Sequence, residues 1–171
     1  QPTATASNGL ALSSVPTLTS ISPVLNHKPL YSSTVHFPVG GQLLSNYLLE
    51  MIKTAGYELD TNDSHRVAQH VKKNMAYTAM DLNQELSGLA KNPEEFVQEL
   101  ELPNGEALEI GGEAFKLVES MFHPQVLGLF DDSSVQKSIF DVCQKVKPED
   151  RSLLYSNIVL SGGNTLFHGF A

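Results

Sequence analysis

The side chains able to do chemistry are dispersed in this sequence. Six histidines occur, His27, His36, His65, His70, His123 and His168, and His65 and His70, five apart, miss the i, i+4 spacing of a helical metal pair. Carboxylates gather at Glu94-Glu95, at Glu99 and Glu101, and at Asp131-Asp132. General acid–base work would require two of them to converge, whereas charges on loops and along an exposed strand face are ordinarily solvated. Cys143 belongs to the apolar stripe Val135, Ile139, Val142, Val146, and nothing around it signals the lowered pKa of a nucleophile, so it reads as a core thiol. No GxSxG, HExxH, GxxxxGK[ST] or GxGxxG pattern occurs. The exception is Ser161-Gly162-Gly163-Asn164-Thr165, which comes after an apolar run. Its glycines let the backbone come close to something, either a ligand offered N–H groups or a neighbouring segment in a tight strand-to-helix connection.

Composition narrows the classes. With 11 Lys and Arg against 19 Asp and Glu, the net charge of −8 lacks the basic footprint of a nucleic-acid binder. At 171 residues, 41% hydrophobic and 18% charged, the chain can build one core or two small ones. A single cysteine allows no internal disulfide, and no CxxC or paired Cys/His spacing offers a zinc site, which fits a reducing compartment. No apolar run approaches the roughly 18 residues of a membrane span, and the start is not of signal-peptide type, so a soluble protein is expected.

The elements that must position these groups alternate in type. Residues 1–8 are small and polar and read as a flexible tail. Leu10-Ala11-Leu12, residues 18–25 and residues 31–37 read as two or three short strands. Gly40-Gly41 opens the clearest helix, with Leu43, Leu44, Tyr47, Leu48, Met51, Ile52 and Ala55 on one side and Gly56 as its stop. A second helix is expected after the capping cluster Thr61-Asn62-Asp63-Ser64, burying Val67, Ala68, Val71 and Met75. Asn104-Gly105 between residues 96–102 and 107–110 is the best hairpin signal. Helices are predicted over 113–122, stopped by His123-Pro124, and around 135–146, ending before Pro148. A strand at 157–160 leads into the glycine loop. The interspersed order argues an α/β or α+β fold.

Leu160-Ser161-Gly162-Gly163-Asn164-Thr165-Leu166-Phe167-His168-Gly169 resembles the adenine-side loop of actin and the actin-related proteins. In the family's order, Val71-Lys72-Lys73-Asn74-Met75-Ala76-Tyr77-Thr78-Ala79-Met80-Asp81 is similar to the nucleotide-side helix and the strand beyond it. Leu102-Pro103-Asn104-Gly105 with Ile110-Gly111 is similar to the family's hairpin, and Glu113-Ala114-Phe115, Glu119, Phe122-His123-Pro124 and Leu127-Gly128 to the next segment. The resemblance implies an actin-like, ribonuclease H-like α/β ATPase lobe, incomplete relative to the full fold and corresponding to most of its second half. Residues 9–39 and 93–171 would form the larger inner subdomain, and 40–92 an inserted small helical one. The resemblance further implies an adenine side made by Lys72, Gly162, Gly163, Thr165, Leu166 and Phe167, if nucleotide binds at all.

Departures from the family qualify that implication. Where the family has an Asp- and Gly-rich turn around the phosphates and the hydrated cation, this chain reads Leu12-Ser13-Ser14-Val15-Pro16-Thr17. Val15 is β-branched where close approach needs no side chain, Pro16 lacks an N–H, and Ser13 supplies no charge for Mg²⁺. Lys73 also reverses the charge of an acidic residue at the ribose. The expectation is therefore no catalytic residue, no metal, no required cofactor and no hydrolysis, with ATP and Mg²⁺ as the alternative. The implied partners are actin-family subunits or their binding proteins, met through Pro103, Asn104 and Gly105, through Val126, Leu127, Gly128 and Leu129 of an apolar loop running to Phe130, and through residues 147–151, without direct nucleic-acid or membrane contact. The degenerate form resembles the divergent actin-like proteins of animal testis. A structural role in a cytoplasmic cytoskeletal assembly is the leading expectation, with a nucleotide switch or a nuclear chromatin-remodelling subunit as the alternative.

Overall fold

The computed structural model describes residues 7–102, 105–128 and 134–171, Asn62 by its backbone alone. The chain runs through β1 (Gly9–Ser14), β2 (Thr19–Leu25), β3 (Lys28–Pro29), β4 (Val35–Phe37), α1 (Gly41–Thr54), α2 (Thr61–Asn74), α3 (Leu82–Lys91), β5 (Gln98–Glu101), β6 (Ala107–Ile110), α4 (Glu113–Glu119), α5 (Val135–Gln144), α6 (Pro148–Ser156) and β7 (Ile158–Ser161). It is a mixed α/β fold.

Strands β1 and β2 are antiparallel with Leu12 opposite Ile21 and Ser14 opposite Thr19. Side chains alternate across a strand, so Leu10, Leu12, Ser14, Thr19 and Ile21 share one fully buried face. β3 and β4 both join the far edge of β2, and β7 lies parallel to β1 on its other side, completing a mixed five-stranded sheet. A parallel neighbour requires a long crossover, and everything between β1 and β7 forms it. Residues 31–37, expected as one strand, divide: Tyr31–Ser33 is a 3₁₀ turn and only Val35–Phe37 pairs. Of the tail, Ser7 and Asn8 are tied to the turn after β2, accepting hydrogen bonds from His27 N (2.8 Å) and Asn26 N (2.6 Å).

On α1, Leu44, Leu48 and Ile52 recur every four residues and are buried, while Leu43, Tyr47 and Met51 flank them half-buried. Each full burial contributes about 1.5–3 kcal/mol. α2 starts one turn earlier than expected. Asp60, not the 61–64 cluster, is its cap, with a carboxylate oxygen accepting from Asp63 N at 2.7 Å. Val67, Ala68 and Val71 of α2 join α1, the sheet, β6, α4, α5 and α6 in one continuous apolar cluster. The hairpin β5–β6 forms in the expected register, with Leu100 opposite Leu108.

Helices α3 and α6 carry no clear signal in the sequence. No residue of α3 is fully buried; its N-terminus is held by Asp81, whose carboxylate accepts from Asn83 N (2.9 Å) and Gln84 N (3.1 Å). Pro148, which reads as a stop for the preceding helix, is also the first residue of α6, where its missing N–H costs nothing.

Between α2 and α3, Thr78 N donates to His168 O (2.8 Å) and Ala79 N–H donates to the Glu119 carboxylate. Burial pushes the Glu119 carboxyl above its ordinary range, against the opposing pull of His123, 4.0 Å away, and of the Ala79 N–H. The folded chain therefore holds the Glu119 proton more tightly than the unfolded one. Consequently the carboxyl's contribution to stability is greatest below its ordinary pKa and is lost as pH rises through the raised value. Glu119→Gln keeps an acceptor for Ala79 and removes the ionisation, so thermal melts should show the variant more stable than the parent at about pH 7, with the gap closing toward about pH 4.5. A gap independent of pH would refute this assignment.

Candidate functional site

The turn from β1 to β2, the start of α1 and the loop after β7 meet at one place. In the turn, Val15 N donates to Leu18 O (3.0 Å) and Pro16 has no N–H. Its carbonyls point toward α1: Val15 O accepts from Gly41 N (3.1 Å) and Pro16 O from Gln42 N (2.8 Å). The first free N–H groups of a helix are the ones that attract anions, and here the protein's own carbonyls occupy two of them. Gly40 makes this approach feasible, since a Cβ there would lie 2.5 Å from Leu18 N and 2.6 Å from Pro16 O.

The glycine loop approaches the same turn. Gly162 has φ 89, and a Cβ on it would lie 2.1 Å from Ser14 O. What its lack of a side chain allows is thus close contact with β1. Gly163 has nothing within 4 Å of its Cβ position and opens onto a cavity beside the turn. Asn164, 7% exposed, donates through Nδ2 to Ser14 Oγ (3.0 Å) and to Val15 O (3.4 Å). Thr19 Oγ1 spends its proton on Val39 O (2.7 Å), so in the 2.7 Å Ser14–Thr19 pair Ser14 must donate. This directional chain, Asn164 to Ser14 to Thr19 to Val39, ties the loop through both central strands to the residues that lead into α1. Each of its groups is buried and each is satisfied, which is what a buried polar network requires.

The cavity at this junction has a volume of about 590 Å³ and lies between α1, α2, the turn and the loop, within the range of about 300–1,000 Å³ typical of small-molecule sites. Lys72 reaches into it from α2. Its Nζ donates to Gly41 O (2.9 Å) and Ser45 Oγ (2.6 Å), and Ser45 Oγ donates in turn to Gly41 O (2.9 Å). Burial lowers the Lys72 pKa, and both of these acceptors are neutral oxygens rather than carboxylates. His65, Gln69 and Asn46 add further polar groups to the wall. No Asp or Glu lines the cavity among the described residues, and no group of three His, Cys, Asp or Glu side chains there could hold a metal ion.

Of the residues implied as the adenine side, Lys72 and Gly163 line this cavity. Gly162 and Thr165 build the loop, the latter by donating from Oγ1 to Gly162 O (2.9 Å). Phe167 is buried in the core, and Leu166 is 82% exposed, away from the cavity wall. Ser45, Gln69 and His65 are cavity residues that no motif marks. A signal is nevertheless present, because His65, Gln69 and Lys72 recur at i, i+4 and i+7 and so share one polar face of α2. Lys73, the reversed charge, is exposed. Among the implied partner contacts, Val126 is 54% exposed, Leu127 packs on the core and Gly128 ends a 3₁₀ turn. Gly105 is exposed at the hairpin, and Pro103, Asn104 and Leu129 to Asp132 lie outside the described residues.

Cys143 is fully buried and, despite opposing contributions from Tyr155 and Arg151, its thiol pKa is raised by burial. It has the character of a core residue, not of a nucleophile.

A mixed sheet flanked by helices, with two glycine-bearing connections meeting over a cavity, describes an α/β lobe of the kind found in actin-type folds. The family model for actin matches residues 3–171, and the chain belongs to the actin family. An actin-like protein of Neurospora crassa is 33% identical over 86% of this chain and 39% of its own length. Actin-related protein 2 of Saccharomyces cerevisiae is 28% identical over 95% of this chain, and that of Arabidopsis thaliana 27% over 94%. The chain spans 39–41% of the length of these relatives. No helix among the described residues is long and apolar enough to cross a membrane.

Proposed function

We propose that this chain is a non-hydrolysing actin-family lobe that serves as a structural or interaction component of a cytoskeletal actin-family assembly in the cytoplasm. In this reading it corresponds to most of the second half of the family fold, with residues 9–39 and 93–171 as the larger subdomain and 40–92 as the inserted one. One observation carries the proposal. The turn that would have to cradle phosphates instead directs the Val15 and Pro16 carbonyls at the N-terminus of α1. Carbonyl oxygens repel a polyphosphate, Pro16 has no donor to offer, and no carboxylate among the described residues lines the cavity to order a hydrated cation. The residues present do not fit Mg²⁺-ATP, and no hydrolytic step is assigned to them. Partners would be actin-family subunits or their binding proteins, met through residues 103–105 and 126–129.

The cavity favours a second reading, in which a larger actin-related protein uses Lys72 and Gly163 to hold the nucleoside end while other parts of the protein supply the phosphate contacts. Thermal shift of the protein isolated from its native source separates the two. A ligand at about 100 times its Kd raises stability by about 2.7 kcal/mol, roughly 5–10 °C for a domain of this size. The first reading expects no such shift and no phosphate release with about 1 mM ATP and Mg²⁺, against micromolar affinity for a working clamp. A shift of that size would refute it. Co-purification of native complexes tests the assembly role directly: recovery without any actin-family chain would count against it.

A further inference from the structure

The four methionines of the chain occupy different environments. Met121 is fully buried in the core, Met51 and Met75 pack half-buried against it, and Met80 is 93% exposed. The exposure of Met80 is not that of a loose loop, because the backbone is held on both sides of it. Thr78 N donates to His168 O at 2.8 Å and Ala79 N–H to the Glu119 carboxylate, while Asp81 caps α3 through Asn83 N and Gln84 N. The thioether therefore stands in solvent at a fixed point between α2 and α3, with almost none of its surface taken up in packing.

We propose that Met80 is an oxidative modification site, converted to methionine sulfoxide by hydrogen peroxide selectively and without loosening the fold. A sulfur lone pair attacks one peroxide oxygen, an S–O bond forms as the O–O bond breaks, and a proton transfer releases water. The sulfur gives up two electrons and the peroxide accepts them. Selectivity arises from access: peroxide reaches Met80 in the native state, whereas Met121 reacts only after the core opens. Stability is spared because the added oxygen enters solvent, where a polar sulfoxide displaces no contact. At Met121 the same oxygen would sit among apolar side chains without a donor. The product exchanges an apolar knob at the junction for a strong hydrogen-bond acceptor, and methionine sulfoxide reductase restores the thioether.

The test is peptide mapping by mass spectrometry of the natively folded chain during exposure to hydrogen peroxide. Met80 should gain one oxygen first, at least about tenfold faster than Met121 and ahead of Met51 and Met75. Met80→Leu should remove this fast phase while leaving the slower ones. The singly oxidised chain should melt within about 1 °C of the untreated one, and reductase treatment should reverse the mass change. Another methionine reacting first, or a clear fall in melting temperature on single oxidation, would overturn the proposal.

Discussion

Gly162→Ala is expected to destabilise the chain by about 2–5 kcal/mol, and Gly163→Ala by less than about 0.5 kcal/mol. The two glycines are adjacent, yet their surroundings differ completely. Gly162 has φ 89, a left-handed conformation that costs a side-chain-bearing residue about 1–2 kcal/mol. Its new Cβ would also lie 2.1 Å from Ser14 O, with the obstacle being backbone rather than a flexible side chain. Relief requires β1 and the loop to separate, and overpacking of that kind costs about 1–3 kcal/mol more. The bonds most exposed to that separation are Asn164 Nδ2 to Ser14 Oγ and to Val15 O. At this chain length the sum corresponds to a fall of roughly 4–20 °C in melting temperature. Gly163 has no atom within 4 Å of its Cβ position and a φ that L residues adopt, so its substitution meets neither penalty. Differential scanning calorimetry of the two variants checks the prediction. Equal effects would mean that the loop does not lie against β1.

The same loop shows what can be read from residues alone. Two adjacent glycines after an apolar strand announce a close approach, but sequence does not say to what, and the partner is a strand about 150 positions earlier in the chain. α1 is legible because Leu44, Leu48 and Ile52 recur at helical spacing and the core buries them on one side, whereas Ala55, expected with them, falls past the helix end and is exposed. α3 is not, since it buries nothing completely and carries Ser87 and Gly88 in its interior; the approach of Phe96 to Gly88, with the ring tip 2.9 Å from the Cβ position, gives that glycine a packing reason visible only in three dimensions. Pro148 is ambiguous in principle, because the same residue that cannot continue one helix is favoured at the first position of another. The candidate site is half legible for a related reason. Lys72 and Gly163 belong to recognisable segments, whereas Ser45 becomes significant only when α1 and α2 pack and bring it within 2.6 Å of the Lys72 ammonium. The departures at Val15 and Pro16 predict a loss of phosphate contacts. They do not predict that the freed carbonyls turn toward α1.

Phe115→Ala should be the most damaging single truncation outside the glycine loop, at about 3–5 kcal/mol. Phe115 is fully buried on α4, and two rings lean on it: Tyr77 at 6.0 Å between centroids and Phe96 at 6.3 Å, tilted by 53° and 61°. These belong to the linker between α2 and α3 and to the segment just before β5, so one side chain joins three parts of the chain that are distant in sequence. Inclined aromatic pairs add about 0.5–1.5 kcal/mol each beyond burial. Truncation would remove both pairs and leave a cavity that α4, held against α1, cannot readily close. Tyr77 also donates to Glu85 on α3 (3.2 Å), and burial, with Glu85 adding to it, pushes its hydroxyl pKa up to about 12. Loss of the Phe115 ring should therefore spread to α3, where no buried side chain offers separate support. Phe115→Leu, which keeps most of the volume but no ring, should cost distinctly less. Denaturant unfolding gives the totals, and hydrogen exchange gives the pattern: amides of α3 and of the 76–81 linker should lose protection in Phe115→Ala before those of β1 and β2. Uniform loss across the sheet and α3 together would show instead that the aromatic cluster is no separate support for the linker, and that the chain opens as a single unit.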